Sequence, residues 1–126
     1  MKTLQIIKTA YRATIEEQDD TIVWLTHAMT GAGGDFDVLL GGSCVNYTVK
    51  HQTVEGLTFG NWKQTSPPKL ARDIAGLVEK GVDVYVLEED VRDYGIDSNE
   101  QIEGIKTVAR SGLAKLVDQY DLIWRW

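Results

Sequence analysis

Three short runs, Leu4 to Ile7, Phe36 to Leu40 and Val82 to Leu87, are rich in apolar and β-branched residues at consecutive positions rather than alternating with polar ones. Side chains of a strand alternate between its two faces, so a run that is apolar at both parities belongs to a strand covered on both sides, the condition of a parallel sheet. Between these runs lie apolar residues at helical spacing: Ile22, Leu25 and Met29 after the first, and Leu70, Ile74, Leu77 and Val78 before the third. Parallel neighbours cannot be joined by a tight turn, and a helix is the usual crossover. The alternation predicts an α/β chain in three layers, helices on both faces of a mainly parallel sheet, with right-handed connections.

Punctuation between the runs fits that plan. Glu16, Glu17, Asp19 and Asp20 precede the first helical stripe, where carboxylates meet the positive end of the helix dipole, and Gly31, Gly33 and Gly34 supply its stop. Gly41 and Gly42 allow a tight turn into a short helix near Ser43, with Cys44 at that turn. Ser66, Pro67 and Pro68 predict the start of the next helix, and Gly81 its left-handed end. After the third run come Glu88, Glu89 and Asp90, then Gly95 and the polar stretch Asp97 to Glu100. Ile105 to Val108 predicts a fourth strand, Leu113, Leu116, Val117 and Tyr120 a helix, and Leu122 to Trp126 a last strand. Thr53 to Thr65 has neither period and reads as a long loop carrying Leu57, Phe59 and Trp62. Loops of that length in compact domains are functional or packed against something.

The chain has 126 residues, with 43% hydrophobic and 25% charged, the proportions of one globular domain spanning residues 1–126. Its formal net charge of -6 opposes a nucleic-acid surface, which needs clustered cations to displace counterions. No apolar stretch approaches a membrane span, and the run within Met1 to Lys8 is too short for a secretory signal, so the expectation is a cytoplasmic protein with no membrane partner. Cys44 is the single cysteine and has no internal disulfide partner, so nothing points to an oxidising compartment.

Three strings carry a family likeness: VYVLEEDVRDYGI from Val84 to Ile96, DVLLGGSCVNYTVKHQ from Asp37 to Gln52, and the terminal GLAKLVDQYDLIWRW. Together with the order of elements over nearly the whole chain, they resemble the DsrE/DsrF/DsrH family, which includes the Tus sulfur-relay subunits. The first string is locally most like the DsrH/TusB branch. The resemblance implies a five-stranded parallel sheet in the order 4-3-2-1-5, assembly into homo-oligomers or with related relay subunits, and for many members transfer of sulfane sulfur as a cysteine persulfide. In DsrE-type carriers that cysteine lies just past the third strand, a place matched here by Leu87 to Asp90. No thiol stands in that window, and Glu88 or Asp90 would disfavour a neighbouring thiolate.

Cys44 is therefore the one residue able to take a persulfide, at a glycine turn opening a helix, a setting that lowers a thiol's pKa. The ordinary role of a lone cysteine is instead that of a small buried hydrophobe. Ligands of open α/β sheets bind beyond the carboxyl ends of the strands, which nominates Tyr11, Ser43, Glu88 and Asp90 to line a pocket. Crowded carboxylates such as Glu88, Glu89 and Asp90 can serve acid–base chemistry, although such a run more commonly caps a helix and faces water. His27 and His51 lack the paired spacing of a metal site, no Gly-x-Ser-x-Gly elbow is present, and neither metal nor cofactor is expected. Phe59, Trp62, Trp124 and Trp126 favour an interface if exposed; the plainer reading is that Trp124 is sheet core and Trp126 frays. The resemblance thus implies a DsrE-like sulfur-relay component, acting as a carrier through Cys44 or as a partner subunit without a working thiol. The alternative is a small-ligand-binding or structural oligomer subunit of the same fold.

Overall fold

The computed structural model describes residues 1–10, 19–52 and 55–126. Tyr11, Glu16 and Glu17 lie outside the described residues, as do Thr53 and Val54 at the start of the long loop. The elements are β1 (Lys2–Ile7), α1 (Thr21–Gly31), β2 (Asp35–Leu40), a 3-10 helix (Gly42–Thr48), a small hairpin of β3 (Thr58–Phe59) and β4 (Trp62–Lys63), and α2 (Leu70–Glu79). They continue with β5 (Val84–Leu87), α3 (Glu88–Asp93), β6 (Lys106–Val108), α4 (Leu113–Val117) and β7 (Leu122–Arg125). The main sheet runs β6-β5-β2-β1-β7 with every neighbouring pair parallel. With the hairpin set aside this is the expected order 4-3-2-1-5.

The two parities of each strand feed two unequal layers. On one face Ile7, Val38, Leu40, Val84 and Val86 pack with Val23 of α1, Ile74 and Leu77 of α2, and Cys44, Val45 and Tyr47 of the 3-10 helix. On the other, Leu4, Leu39 and Leu87 meet Leu116 of the short α4. Burial from both sides is why these strands read as unbroken apolar runs. Each fully buried aliphatic side chain contributes about 1.5–3 kcal/mol, so the first layer holds most of the stability.

α1 starts at a true cap. Asp20 Oδ1 accepts the N–H groups of Ile22 and Val23 at 2.9 and 3.1 Å, while its other oxygen accepts the Tyr47 hydroxyl at 2.7 Å. The expected acidic first turn is thus one capping carboxylate, and the first turn itself holds no acidic residue. The expected stripe Ile22, Leu25, Met29 is only half-buried; Val23 and Thr26 face the core. Thr26 is tolerated there because its hydroxyl donates to the Ile22 carbonyl at 2.8 Å and accepts from Gln5 Nε2.

α2 begins later than Ser66, at Leu70, and its N-cap residue Lys69 makes no side-chain capping bond. Pro68 pushes the preceding Pro67 out of helical space, and Lys69 sits at φ -120, ψ 69, so the chain turns into helix only after the proline pair. At the far end Gly81 adopts φ 86 and lets the Val82 N–H reach back to the Leu77 carbonyl at 3.1 Å. Within the long loop the chain folds into the β3–β4 hairpin, with Phe59 opposite Trp62 and both largely exposed, 69% and 72%. Trp126 is pinned rather than frayed. Its indole N–H donates to Gln5 Oε1 at 2.9 Å and its backbone N–H to the Ile6 carbonyl at 3.0 Å. Trp124 is half-buried against Phe36, with ring centroids 5.6 Å apart.

Candidate functional site

Parallel strands place their carboxyl ends on one rim, and here that rim is drawn shut by its own side chains. β2 leaves through Gly41 and Gly42, the latter at φ 56, and the Gly42 N–H donates to Asp90 Oδ2 at 2.7 Å. Asp90 Oδ1 lies 3.6 Å from Arg110 Nη2, just beyond β6. Both oxygens of Glu89 accept the Arg110 backbone N–H, at 2.9 and 3.0 Å, and this hydrogen bond holds the Glu89 carboxyl below its usual range. Lys8, leaving β1, lies over Gly41, where a Cβ would stand 3.2 Å from Lys8 Cε and 3.3 Å from Leu87 Cδ1. Two successive carboxylates at the head of α3 thus tie together the exits of β2, β5 and β6. A hydrogen bond to a charged group is worth about 1.5–3 kcal/mol, so Asp90 has a structural task sufficient to explain its place.

Cys44 sits one residue beyond this rim but inside the core, with no exposed surface. Its N–H donates to the Gly41 carbonyl at 3.1 Å, which turns the side chain inward among Val45, Tyr47, Leu40 and Val86. Burial pushes the thiol up to about 11 and the Asp20 carboxylate pushes it the same way, outweighing the opposing hydrogen bond with Tyr47. The helix it opens is a short 3-10 segment with no side-chain cap, too weak a dipole to reverse the desolvation. A reactive thiol is accessible and electropositively surrounded; this one is neither.

Of the residues nominated for a pocket, Asp90 accepts the N–H of Gly42, the chain neighbour of Ser43, and Ser43 is half-buried with its carbonyl accepting from Asn46 Nδ2 at 3.0 Å. Glu88 is exposed and belongs elsewhere, to a shallow cleft of about 380 Å³ between α3 and the following turn, with Arg92, Asp97 and Gln101. Tyr11 is outside the described residues. Lys8 and Arg110 were missed by sequence reasoning, though Lys8 directly follows β1 and Arg110 stands two residues past β6, the signal that nominated the others. His27 links α1 to α2: its Nε2–H donates to the Asp73 carbonyl at 2.7 Å and Nδ1 accepts from Lys80 Nζ at 3.0 Å. No group of three His, Cys, Asp or Glu able to hold a metal occurs among the described residues, and no helix among them is long and apolar enough to cross a membrane.

No protein-family model matches the sequence, and a search of curated proteins finds no match. Solved structures do match over the whole chain. The ychN protein from E. coli superposes with a TM-score of 0.74 at 16% identity, covering 100% of both chains. MTH1491 from Methanobacterium thermoautotrophicum, a protein of unknown function, gives 0.62 at 12% identity over 98% of this chain and 96% of its own. BT1422 from Bacteroides thetaiotaomicron, also of unknown function, gives 0.63 at 14% identity over 99% of this chain and 95% of its own. At these identities the likeness concerns the fold, which is DsrE-like.

Proposed function

We propose that this chain is a thiol-inactive partner subunit of a cytoplasmic sulfur-relay assembly, of the DsrH-like branch, acting as one domain over residues 1–126. The observation that carries the reading is the Asp90 clamp. Where the resemblance puts a carrier's cysteine, this chain has Leu87 to Asp90, and Asp90 is committed to the Gly42 N–H and to Arg110. Persulfide transfer needs a thiolate to attack a sulfane sulfur, and the neutral, sealed Cys44 offers none at neutral pH. The role that remains is to shape an assembly in which another subunit holds the sulfur. Exposed Phe59, Trp62 and Trp126 are the apolar surface that copies of the chain or related subunits would cover.

Two measurements test this. Incubation of the folded protein with a small-molecule persulfide donor, followed by intact-mass analysis, is expected to leave wild type and Cys44→Ser alike, neither gaining a sulfur. A one-sulfur gain in wild type that Cys44→Ser lacks would make the chain a carrier. Sedimentation of the chain alone and mixed with a cysteine-bearing DsrE-like carrier is expected to show association; a strict monomer in both runs contradicts the partner role.

A further inference from the structure

A second concavity lies away from the strand rim. A cleft of about 330 Å³ opens at the start of α2, and among the described residues every charged side chain lining it is cationic: Lys50, Lys69 and Arg72. This happens in a chain where 19 carboxylates face 13 Lys and Arg, so the local sign runs against the molecule's. The three charges are poorly compensated from within. Among the described residues Lys50 and Lys69 make no ion pair, and Arg72 has a loose contact of 3.8 Å with its chain neighbour Asp73. Lys69 and Arg72 also border the adjoining hollow, which Asp19 and Asp73 line; neither of those carboxylates lines this cleft.

Part of its lining is held by the fold. Pro67 and Pro68 form one side with Leu70, and Pro68 is buried. On the other side the Lys50 N–H donates to the Glu100 carbonyl at 2.8 Å and Val49 bridges to Gln101, so the backbone that carries Lys50 is held. α2 also opens toward the cleft, and its N-cap residue Lys69 makes no side-chain capping bond, so the helix adds its positive end to the same field. Like charges gathered around a hollow repel one another, and a bound anion turns that cost into attraction. The volume is at the small end of ligand pockets, which run from roughly 300 to 1,000 Å³.

We infer that this cleft binds a small organic anion, a carboxylate or phosphate ester attached to a compact apolar body, with Lys50, Lys69 and Arg72 meeting the charge and the proline wall meeting the apolar part. This stands apart from the sulfur-relay reading: either can fail alone, since the persulfide test does not touch the cleft.

The test is an amide NMR titration of the whole chain with phenyl phosphate and phenylacetate, and with inorganic phosphate and benzylammonium as contrasts. The expected result is saturable shifts at Lys50, Gln52 and residues 69–72 for both aromatic anions, weaker binding of inorganic phosphate, and none of benzylammonium. The double variant Lys69→Ala/Arg72→Ala should weaken phenyl phosphate by about tenfold or more, and added salt should weaken it in wild type. Both positions are exposed, so the variant is expected to fold as wild type does. Shifts that never saturate or fall elsewhere would overturn the inference. So would benzylammonium binding as well as the anions, inorganic phosphate binding as tightly as the ester, or a double variant that binds unchanged.

Discussion

The rim at the strand ends and the cleft at the start of α2 are both rich in charge, and they differ in where the charge is answered. At the rim Asp90 and Glu89 find their partners inside the molecule, in the Gly42 N–H and in Arg110. At the cleft Lys50 and Lys69 find none among the described residues. Charge answered internally holds a fold together; charge left open around a hollow is available to a ligand. The rim, where this fold class ordinarily does its chemistry, is the structural region here, and the cleft is the open one.

The comparison breaks or sharpens in a series of measurements. The largest effect is expected at the buried end of the rim. Because the folded state holds Cys44 up to about 11 against an ordinary 9.0, the unfolded chain gives up that proton first as pH rises. Stability should therefore fall between those two values, by up to about 2–3 kcal/mol from this group. Urea melts at pH 8 and pH 11 should show a steeper loss for wild type than for Cys44→Ala, and equal losses would mean the thiol is not held neutral. Next comes Asp90→Ala, which strips the Gly42 N–H and Arg110 of their acceptor and should cost about 1–3 kcal/mol in the same melts, with Asp90→Asn keeping part of it. Arg110→Ala removes only a partly exposed pair and should cost less than about 1 kcal/mol. At the cleft, Lys50→Ala and Lys69→Ala should leave stability within about 0.5 kcal/mol. A large loss there would mean the cleft's cations are structural after all.

Much of the sheet is legible in the sequence because its strands are covered on both faces, which puts apolar residues at both parities of Leu4 to Ile7, Phe36 to Leu40 and Val82 to Leu87. Periodicity says nothing of strand order; that came with the family resemblance. The face of α1 was misread because Thr26 is buried through a bond to Gln5, and hydrophobicity is blind to a satisfied polar pair. The start of α2 was misplaced because two consecutive prolines restrict each other before they can favour a helix. At the rim the residue types were visible, but the pairing of Asp90 with Gly42 spans 48 positions and only the fold brings them together. Cys44 was correctly placed at a glycine turn, yet its burial depends on the inward aim set by the Gly41 carbonyl. The cleft has no motif at all, since Lys50 and Lys69 come from separate elements.

The central claim, that this chain keeps no working thiol at its strand ends, is tested most directly by the alkylation rate of Cys44 in the folded protein from pH 7 to pH 11. The account predicts negligible modification at neutral pH, with the rate rising only toward pH 11 or when denaturant unfolds the chain. Fast, stoichiometric alkylation of the native protein near pH 7 would contradict it.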